Sequence, residues 1–225
     1  MRLAVSGFIF LLLVAGCLTA QVVNPSINTI SSWNGSQFIS SFGVTDTATY
    51  GQTLTLASSG LLNNFSFEIG NCGAQVTFRG EVYAWDGTKA TGPALWEGAP
   101  QTLPNSSAFA LVTMSPGVTL TPGQYVIFVS TSKDQSGAPS SACRFGAVTN
   151  TAYSGGLFVF MNNTANPALW TTNTWSTISE DLAMYVTING YPPPGTPLPS
   201  SFPLVVIGLI ALGVAGRALM PASRN

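Results

Sequence analysis

The residues that could carry out acid–base chemistry in this chain are carboxylates, because the 225-residue sequence contains no histidine. Serine and cysteine nucleophiles usually need a histidine to take their proton, so the commonest hydrolytic triads are excluded. Two carboxylates facing one cleft would still suffice for the hydrolysis of a glycosidic bond. The candidates for that pair are Glu68, Glu81, Glu97, Glu180 and Asp181.

These carboxylates also have a simpler interpretation as solvated charges. Glu81 falls on the polar face of the clearest strand pattern, and Glu180-Asp181 opens the last predicted strand, where a solvated charge discourages edge-to-edge pairing. We therefore expect a protein that is not an enzyme.

No cofactor is expected, with calcium as the alternative. Asp86-Gly87-Thr88 offers oxygen ligands of the kind that this cation prefers. A plain Asp-Gly turn explains the same three residues.

Aromatic side chains suggest a second kind of site. Flat rings bind the apolar face of sugars, and Tyr83 and Trp85 follow each other on one predicted sheet face. A carbohydrate-binding module that uses these two residues on an extracellular polysaccharide is therefore the alternative function. It requires two rings exposed together. Large aromatics also fill the core of a β-sandwich, and we assign most of the tryptophans there.

The cysteines indicate an oxidising compartment. With the N-terminal segment removed, Cys72 and Cys143 remain, and we expect them to form one disulfide that closes a long loop. Two unpaired thiols are the alternative. A zinc site is disfavoured, because two thiolates without histidine fall short of the usual four ligands.

The charge balance excludes one class of partner. Only 7% of the residues are charged, and between Gln21 and Leu198 four basic side chains stand against eight acidic ones. Nothing in this stretch is basic enough to hold a phosphate backbone, so we expect no nucleic-acid partner.

Short alternating segments predict the fold. In residues 75–85, Val76, Phe78, Val82 and Ala84 fall on one face, and Arg79, Glu81, Tyr83 and Trp85 on the other. One buried face and one wet face are typical of an antiparallel sheet. Further strands are predicted at residues 52–57, 64–69, 108–114, 124–130, 156–161 and 181–188, each bounded by turn residues. We predict an all-β, antiparallel, jelly-roll-like β-sandwich over residues 21–190, with a barrel as the alternative.

Both ends of the chain carry targeting signals. Residues 1–20 combine Arg2, an apolar run and small residues, which is the pattern of a secretory signal peptide. We expect cleavage after Ala20, although Val14-Ala15-Gly16-Cys17 is also similar to a lipoprotein box in which Cys17 would be acylated. Residues 191–201 are a proline-rich spacer, and residues 202–225 contain an uncharged run from Phe202 to Gly216. That run predicts one short transmembrane helix, with Arg217 on the cytoplasmic side.

This C-terminal layout resembles the PEP-CTERM class of bacterial sorting signals. The resemblance is carried by Pro197-Leu198-Pro199, by the Gly/Leu/Ala-rich segment from Phe202 and by the basic Arg217. The motif departs from the family at its middle position, where this chain has Leu and the usual Pro-Glu-Pro has Glu. The resemblance implies that a membrane-embedded, exosortase-like enzyme cuts near the proline motif and passes the domain to the cell envelope or its polymer layer. We therefore expect a non-enzymatic, exported component of the envelope or extracellular matrix.

Overall fold

The computed structural model describes residues 26–44, 46–135, 143–149 and 151–189. The predicted signal peptide with Cys17, the spacer, the sorting motif Pro197-Leu198-Pro199, the transmembrane run and Arg217 all lie outside these ranges. Within them, no helix has the length and apolar character needed to cross a bilayer.

Strands make up nearly all of the regular structure. In chain order they are β1 Ser26–Asn28, β2 Phe38–Phe42, β3 Thr49–Leu56, β4 Gly60–Cys72, β5 Val76–Trp85, β6 Ala90–Glu97, β7 Gln101–Leu103, β8 Ser106–Met114, β9 Val118–Leu120, β10 Gly123–Ser130, β11 Cys143–Val148, β12 Phe158–Met161, β13 Ser176–Ile178, β14 Asp181–Leu182 and β15 Met184–Asn189. A 3₁₀ turn spans Ile30–Ser32, and a single-turn helix α1 spans Leu169–Thr172. Every strand predicted from alternation is present.

These strands form two sheets. The first sheet has the order β1-β15-β4-β11-β14, with β8 and β9 on β4 and with β2 on β11. The second sheet has the order β13-β12-β3-β10-β5-β6, with β7 on β5. All pairings between these strands are antiparallel. The β-sandwich is thus confirmed over the barrel, and the jelly-roll-like connectivity stays a prediction.

The main core lies between the sheets. Alternate residues of β4 and β5 point into it, among them Phe65, Phe67, Phe78 and Val82, and all four are fully buried. Phe145 of β11 sits at its centre, edge-to-face with Phe42 and Tyr50 at ring distances of 5.1 and 5.0 Å. Because period-two strands direct every second side chain the same way, this apolar layer follows directly from the sequence pattern.

The disulfide is present. Cys72 at the end of β4 is bonded to Cys143 at the start of β11, and both are buried in the main core. The bridge joins residues 71 positions apart in the sequence, so it removes a large part of the freedom of the unfolded chain. The prediction from the cysteine pattern is confirmed.

Two sequence expectations about polar residues are wrong. On β5, the face predicted to be solvent-exposed is exposed only at its start. Glu81, Tyr83 and Trp85 on that face are buried, because a further chain segment covers them. At β14, Asp181 is not a solvated edge charge either. Its carboxylate is buried and accepts hydrogen bonds from Gln52 Nε2 at 2.7 Å and from the Tyr153 backbone at 2.8 Å. This carboxylate therefore links β14 of the first sheet to β3 of the second.

Candidate functional site

The outer face of the second sheet carries a second cluster of buried side chains. Residues 162–175, which include α1, lie over this face. Phe128 of β10 packs edge-to-face on Trp170 and Trp175, with ring distances of 5.0 and 5.2 Å. Trp85 meets Trp175 at 5.6 Å, and Tyr83 meets Trp170 at 6.1 Å. We call these five residues the outer aromatic cluster. It makes the second sheet a layer with apolar packing on both faces.

This burial removes the proposed sugar platform. Tyr83 is 8% exposed and Trp85 is 9% exposed, because Trp170 and Trp175 cover their rings. A stacking surface needs ring faces open to solvent, and these two faces are used in packing. The assignment of the two residues to carbohydrate binding is therefore corrected, and the alternative assignment of most aromatics to the interior is confirmed for them and for both covering tryptophans.

A charged cluster adjoins the aromatic one. It consists of Arg79 and Glu81 on β5, Glu97 at the end of β6, and Lys133 and Asp134 in the turn after β10. Lys133 Nζ donates to Glu81 Oε1 at 2.7 Å and to Glu97 Oε2 at 2.6 Å. Arg79 binds the other oxygen of Glu97 and both oxygens of Asp134. Lys133 also lies over the Trp170 ring, 5.1 Å from its centre.

Strand register explains why these groups meet. Glu81 and Glu97 are direct partners across the β5–β6 pair. Two like charges placed opposite each other destabilise a sheet unless a cation lies between them. Lys133 supplies that cation, because the turn from Thr131 to Asp134 bends the chain back over β5 after β10 ends.

A buried polar network holds this turn in place. The Thr49 hydroxyl lies 2.8 Å from that of Ser130 and donates to Asn163 Oδ1 at 2.8 Å. Asn163 Nδ2 donates to Ser132 Oγ at 2.8 Å, and Trp170 Nε1 donates to Thr49 Oγ1 at 3.0 Å. The network ties the covering segment and the lysine turn to β3, and it thereby fixes the position of Lys133.

The cluster shifts the protonation of its members. Burial raises the pKa of Glu81 to about 7, in spite of the hydrogen bond from Lys133. The hydrogen bond from Lys133 holds the pKa of Glu97 below its ordinary value. Burial alone would lower the pKa of Lys133, but its hydrogen bonds to Glu81 and Glu97 raise it. The hydrogen bond to Asp134 raises the pKa of Arg79. The pKa values of the two carboxylates that bind this lysine are thus shifted in opposite directions.

Glu81 is the unusual member. Its side chain is fully buried, and among the described residues its Oε2 atom has no hydrogen-bond partner. A buried oxygen that lacks a partner costs free energy, and more so when it carries charge. The interpretation of Glu81 as a solvated surface charge is therefore wrong.

The two carboxylates of the charged cluster do not form a hydrolytic pair open to a substrate. Glu81 and Glu97 are close, but Lys133 lies between them and Glu81 has no contact with solvent. Asp181, on β14 of the first sheet, is buried and hydrogen-bonded to Gln52 and Tyr153. Glu68, on β4 of the first sheet, has a pKa raised by burial.

Asp86, the candidate calcium ligand, lies in an exposed turn. Asp86 Oδ1 accepts hydrogen bonds from the Thr88 backbone at 2.8 Å, from the Thr88 hydroxyl at 2.8 Å and from the Lys89 backbone at 2.9 Å. These bonds close the β5–β6 hairpin and lower the pKa of Asp86. Across the described ranges, no three acidic or cysteine side chains come together in a way that would hold a metal ion. The plain turn accounts for the observed geometry.

Two grooves flank the loop at residues 152–156. One, of 380 Å³, lies between the sheets at their end and is lined by Ile27, Leu56, Tyr153, Ile188 and neighbouring small residues. The other, of 270 Å³, is shallower and is lined by Thr53, Thr55, Gln124, the edge of Trp85 and loop glycines. Neither groove contains a charged side chain. Their linings offer surface for an uncharged ligand.

Sequence reasoning missed Lys133, Arg79 and Asp134 as members of a site. A signal was present: in a chain with so few charges, Lys133-Asp134 directly follows a strongly apolar strand, and Arg79 and Glu81 alternate on its neighbour. What could not be read from the sequence is that the turn folds back over β5. Only the strand order places these residues together.

Comparisons with known proteins add little. No family model matches the chain, and no curated protein matches it. Among solved structures, the chain is similar to the cysteine protease and lectin-like domains of Cwp84, a surface layer associated protein of Clostridium difficile, with 11% identity and a TM-score of 0.41. The match covers 64% of this chain and 32% of that one, so the chain spans about a third of that structure's length.

Proposed function

We propose that this chain is a non-enzymatic, exported component of the bacterial cell envelope or its extracellular matrix. Residues 1–20 direct its export, and residues 202–225 anchor it in the membrane until an exosortase-like enzyme cuts near Pro197-Leu198-Pro199. The observation that carries the proposal is the buried Cys72–Cys143 disulfide, because such bridges form and persist outside the reducing cytosol.

The described interior supports a structural role. The buried carboxylates serve as links within the fold: Asp181 joins the two sheets through Gln52, and Glu81 joins β5 to the lysine turn. A protein that contacts bulk polymer needs a stable surface more than a reactive centre. The disulfide supplies that stability in a domain that works unprotected outside the cell.

The test measures the oxidation state of the cysteines and the positions of both chain termini. The full chain and a variant lacking residues 2–20 are expressed in a bacterium that has an exosortase-like enzyme. Cells are quenched in acid, free thiols are alkylated under denaturing conditions, and intact masses are measured. We expect the full chain to begin at Gln21, to carry no alkyl group and to end near the proline motif. The shortened variant should carry alkyl groups on both Cys72 and Cys143.

Two controls separate the parts of the proposal. A Pro197→Ala/Pro199→Ala variant should keep residues 202–225, because the recognised motif is gone. If the wild-type chain retains these residues as well, the sorting signal is refuted and a plain membrane anchor is left. If the wild-type chain retains residues 1–20 with both thiols alkylated, export itself is refuted.

A further inference from the structure

We propose that Lys133 and Glu81 become joined by an amide bond between their side chains, with Glu97 as the group that moves the proton. The three side chains meet at the amine of Lys133. Lys133 Nζ lies 2.7 Å from Glu81 Oε1 and 2.6 Å from Glu97 Oε2. The carboxyl carbon of Glu81 is bonded to the oxygen that Lys133 contacts.

Burial favours the reaction over a lasting ion pair. Glu81 has no exposed surface, and its second oxygen lacks a partner among the described residues. Taking an ionised carboxylate out of water is costly, and one ion pair repays that cost only when the remaining lone pairs are also satisfied. Conversion to an amide removes both charges and leaves a neutral group in the buried position.

The two carboxylates differ in the way the reaction requires. Burial raises the pKa of Glu81 to about 7, so it is readily present as the neutral acid whose carbon can be attacked. The hydrogen bond from Lys133, with further help from Arg79, lowers the pKa of Glu97, so this carboxylate stays ionised next to the amine. It is a weak base, and its role as proton acceptor rests on its contact with Nζ at 2.6 Å. The geometry thus places an electrophile and a base within hydrogen-bond distance of one amine.

The step balances without any other reagent. Glu97 takes one proton from the Lys133 ammonium, and the freed lone pair on Nζ attacks Cδ of the Glu81 acid. The Nζ–Cδ bond forms, a second proton passes from Nζ to the hydroxyl of Glu81, and the Cδ–O bond breaks to release water. The proton held by Glu97 then returns to solvent through its exposed side, since the Glu97 side chain is 37% exposed.

The fold lowers the activation barrier that free lysine and glutamate face. Groups held in a reactive geometry behave as if present at effective concentrations of about 10⁵ M or more. Here Glu81 is fixed within a paired strand, and the lysine turn is fixed by the buried Thr49, Ser132 and Asn163 network. The Trp170 ring, 5.1 Å from Nζ, covers the amine. Water that would reverse the reaction is excluded from Glu81 by its burial.

The test measures mass and trypsin cleavage. The full chain is made as unfolded aggregates, refolded in mild detergent with a glutathione redox pair, and sampled over time. We expect its mass to fall by one water molecule in addition to the hydrogens lost at the disulfide. After reduction, trypsin should fail to cut after Lys133, and the peptide 80–89 should remain attached to the peptide 90–144.

Matched variants locate the bond. Lys133→Arg keeps the positive charge but offers no nucleophilic amine, so it should keep its full mass and be cut at position 133. Glu97→Gln keeps the shape of the proposed base and should slow the loss of water about a hundredfold. Circular dichroism of each variant verifies that it has folded. If the folded, oxidised wild-type chain keeps its full mass and is cut after Lys133, the amide bond is refuted. Because the experiment uses refolded protein, its result does not depend on whether the chain is exported.

Discussion

The two faces of the second sheet are packed by different means. Its inner face meets the first sheet in a mainly apolar layer, where Phe145 and its neighbours pack between the sheets and the buried Gln52–Asp181 hydrogen bond adds a polar link. Its outer face is covered by residues 162–175, a segment with one four-residue helix, and its packing combines the outer aromatic cluster with ion pairs and buried hydrogen bonds. The inner face depends mainly on the right pattern of apolar residues. The outer face needs particular partners at particular positions, and for that reason the unusual chemistry lies there.

The largest effects should come from matched phenylalanines on the two faces. Phe145 and Phe128 are both fully buried. We expect Phe145→Ala to lower the free energy of unfolding by about 4 kcal/mol, and Phe128→Ala by about 3 kcal/mol, because a single covering segment can partly collapse into the cavity while two sheets cannot. Urea unfolding of the oxidised protein measures both. An equal or larger loss for Phe128→Ala would remove the distinction between the faces.

A smaller effect should come from the residue that joins the two parts of the outer face. Trp170 packs on Phe128 and Tyr83, covers Lys133, and donates a hydrogen bond to Thr49. We expect Trp170→Phe to lower the free energy of unfolding by about 2 kcal/mol, from lost volume and one lost buried hydrogen bond. Thermal unfolding measures it. In hydrogen exchange, protection should fall in residues 162–175 and stay unchanged in β4, and a uniform loss over both sheets would contradict the assignment.

The last effect concerns the dependence of stability on pH. In Glu97→Gln, where the amide forms slowly, Glu81 still faces Lys133 and Arg79, and its burial keeps its pKa raised. A carboxyl whose pKa is higher in the folded state binds its proton more tightly there. The free energy of unfolding should therefore be highest below the ordinary value of 4.5 and should fall as the pH rises toward about 7.

The control is the double variant Glu81→Gln/Glu97→Gln, which lacks the titrating group. Urea unfolding at several pH values should show the fall in Glu97→Gln before it reacts and not in the double variant. Fully reacted wild-type protein should also lack it, since an amide does not titrate. The same fall in the double variant would assign the effect to another group.

The sequence by itself determined the all-β class, the positions of the main strands and the disulfide. Alternation with period two follows from strand geometry, so the inward residues of β4 and β5 could be identified without a structure. Two cysteines in a chain whose N-terminal segment is predicted to be an export signal have few alternatives to pairing. These features depend on local pattern and composition, which the sequence states directly.

Only the tertiary structure decided which polar positions are buried. Glu81 and Asp181 have the local pattern of exposed charges, and they are buried because segments distant in the sequence cover them: the lysine turn and residues 162–175 in one case, Gln52 and Tyr153 in the other. Periodicity reports that a side chain leaves the sheet on a given side, but it does not report what lies on that side. The juxtaposition of Lys133 with two carboxylates therefore comes from strand order and the path of one turn, which no local pattern encodes.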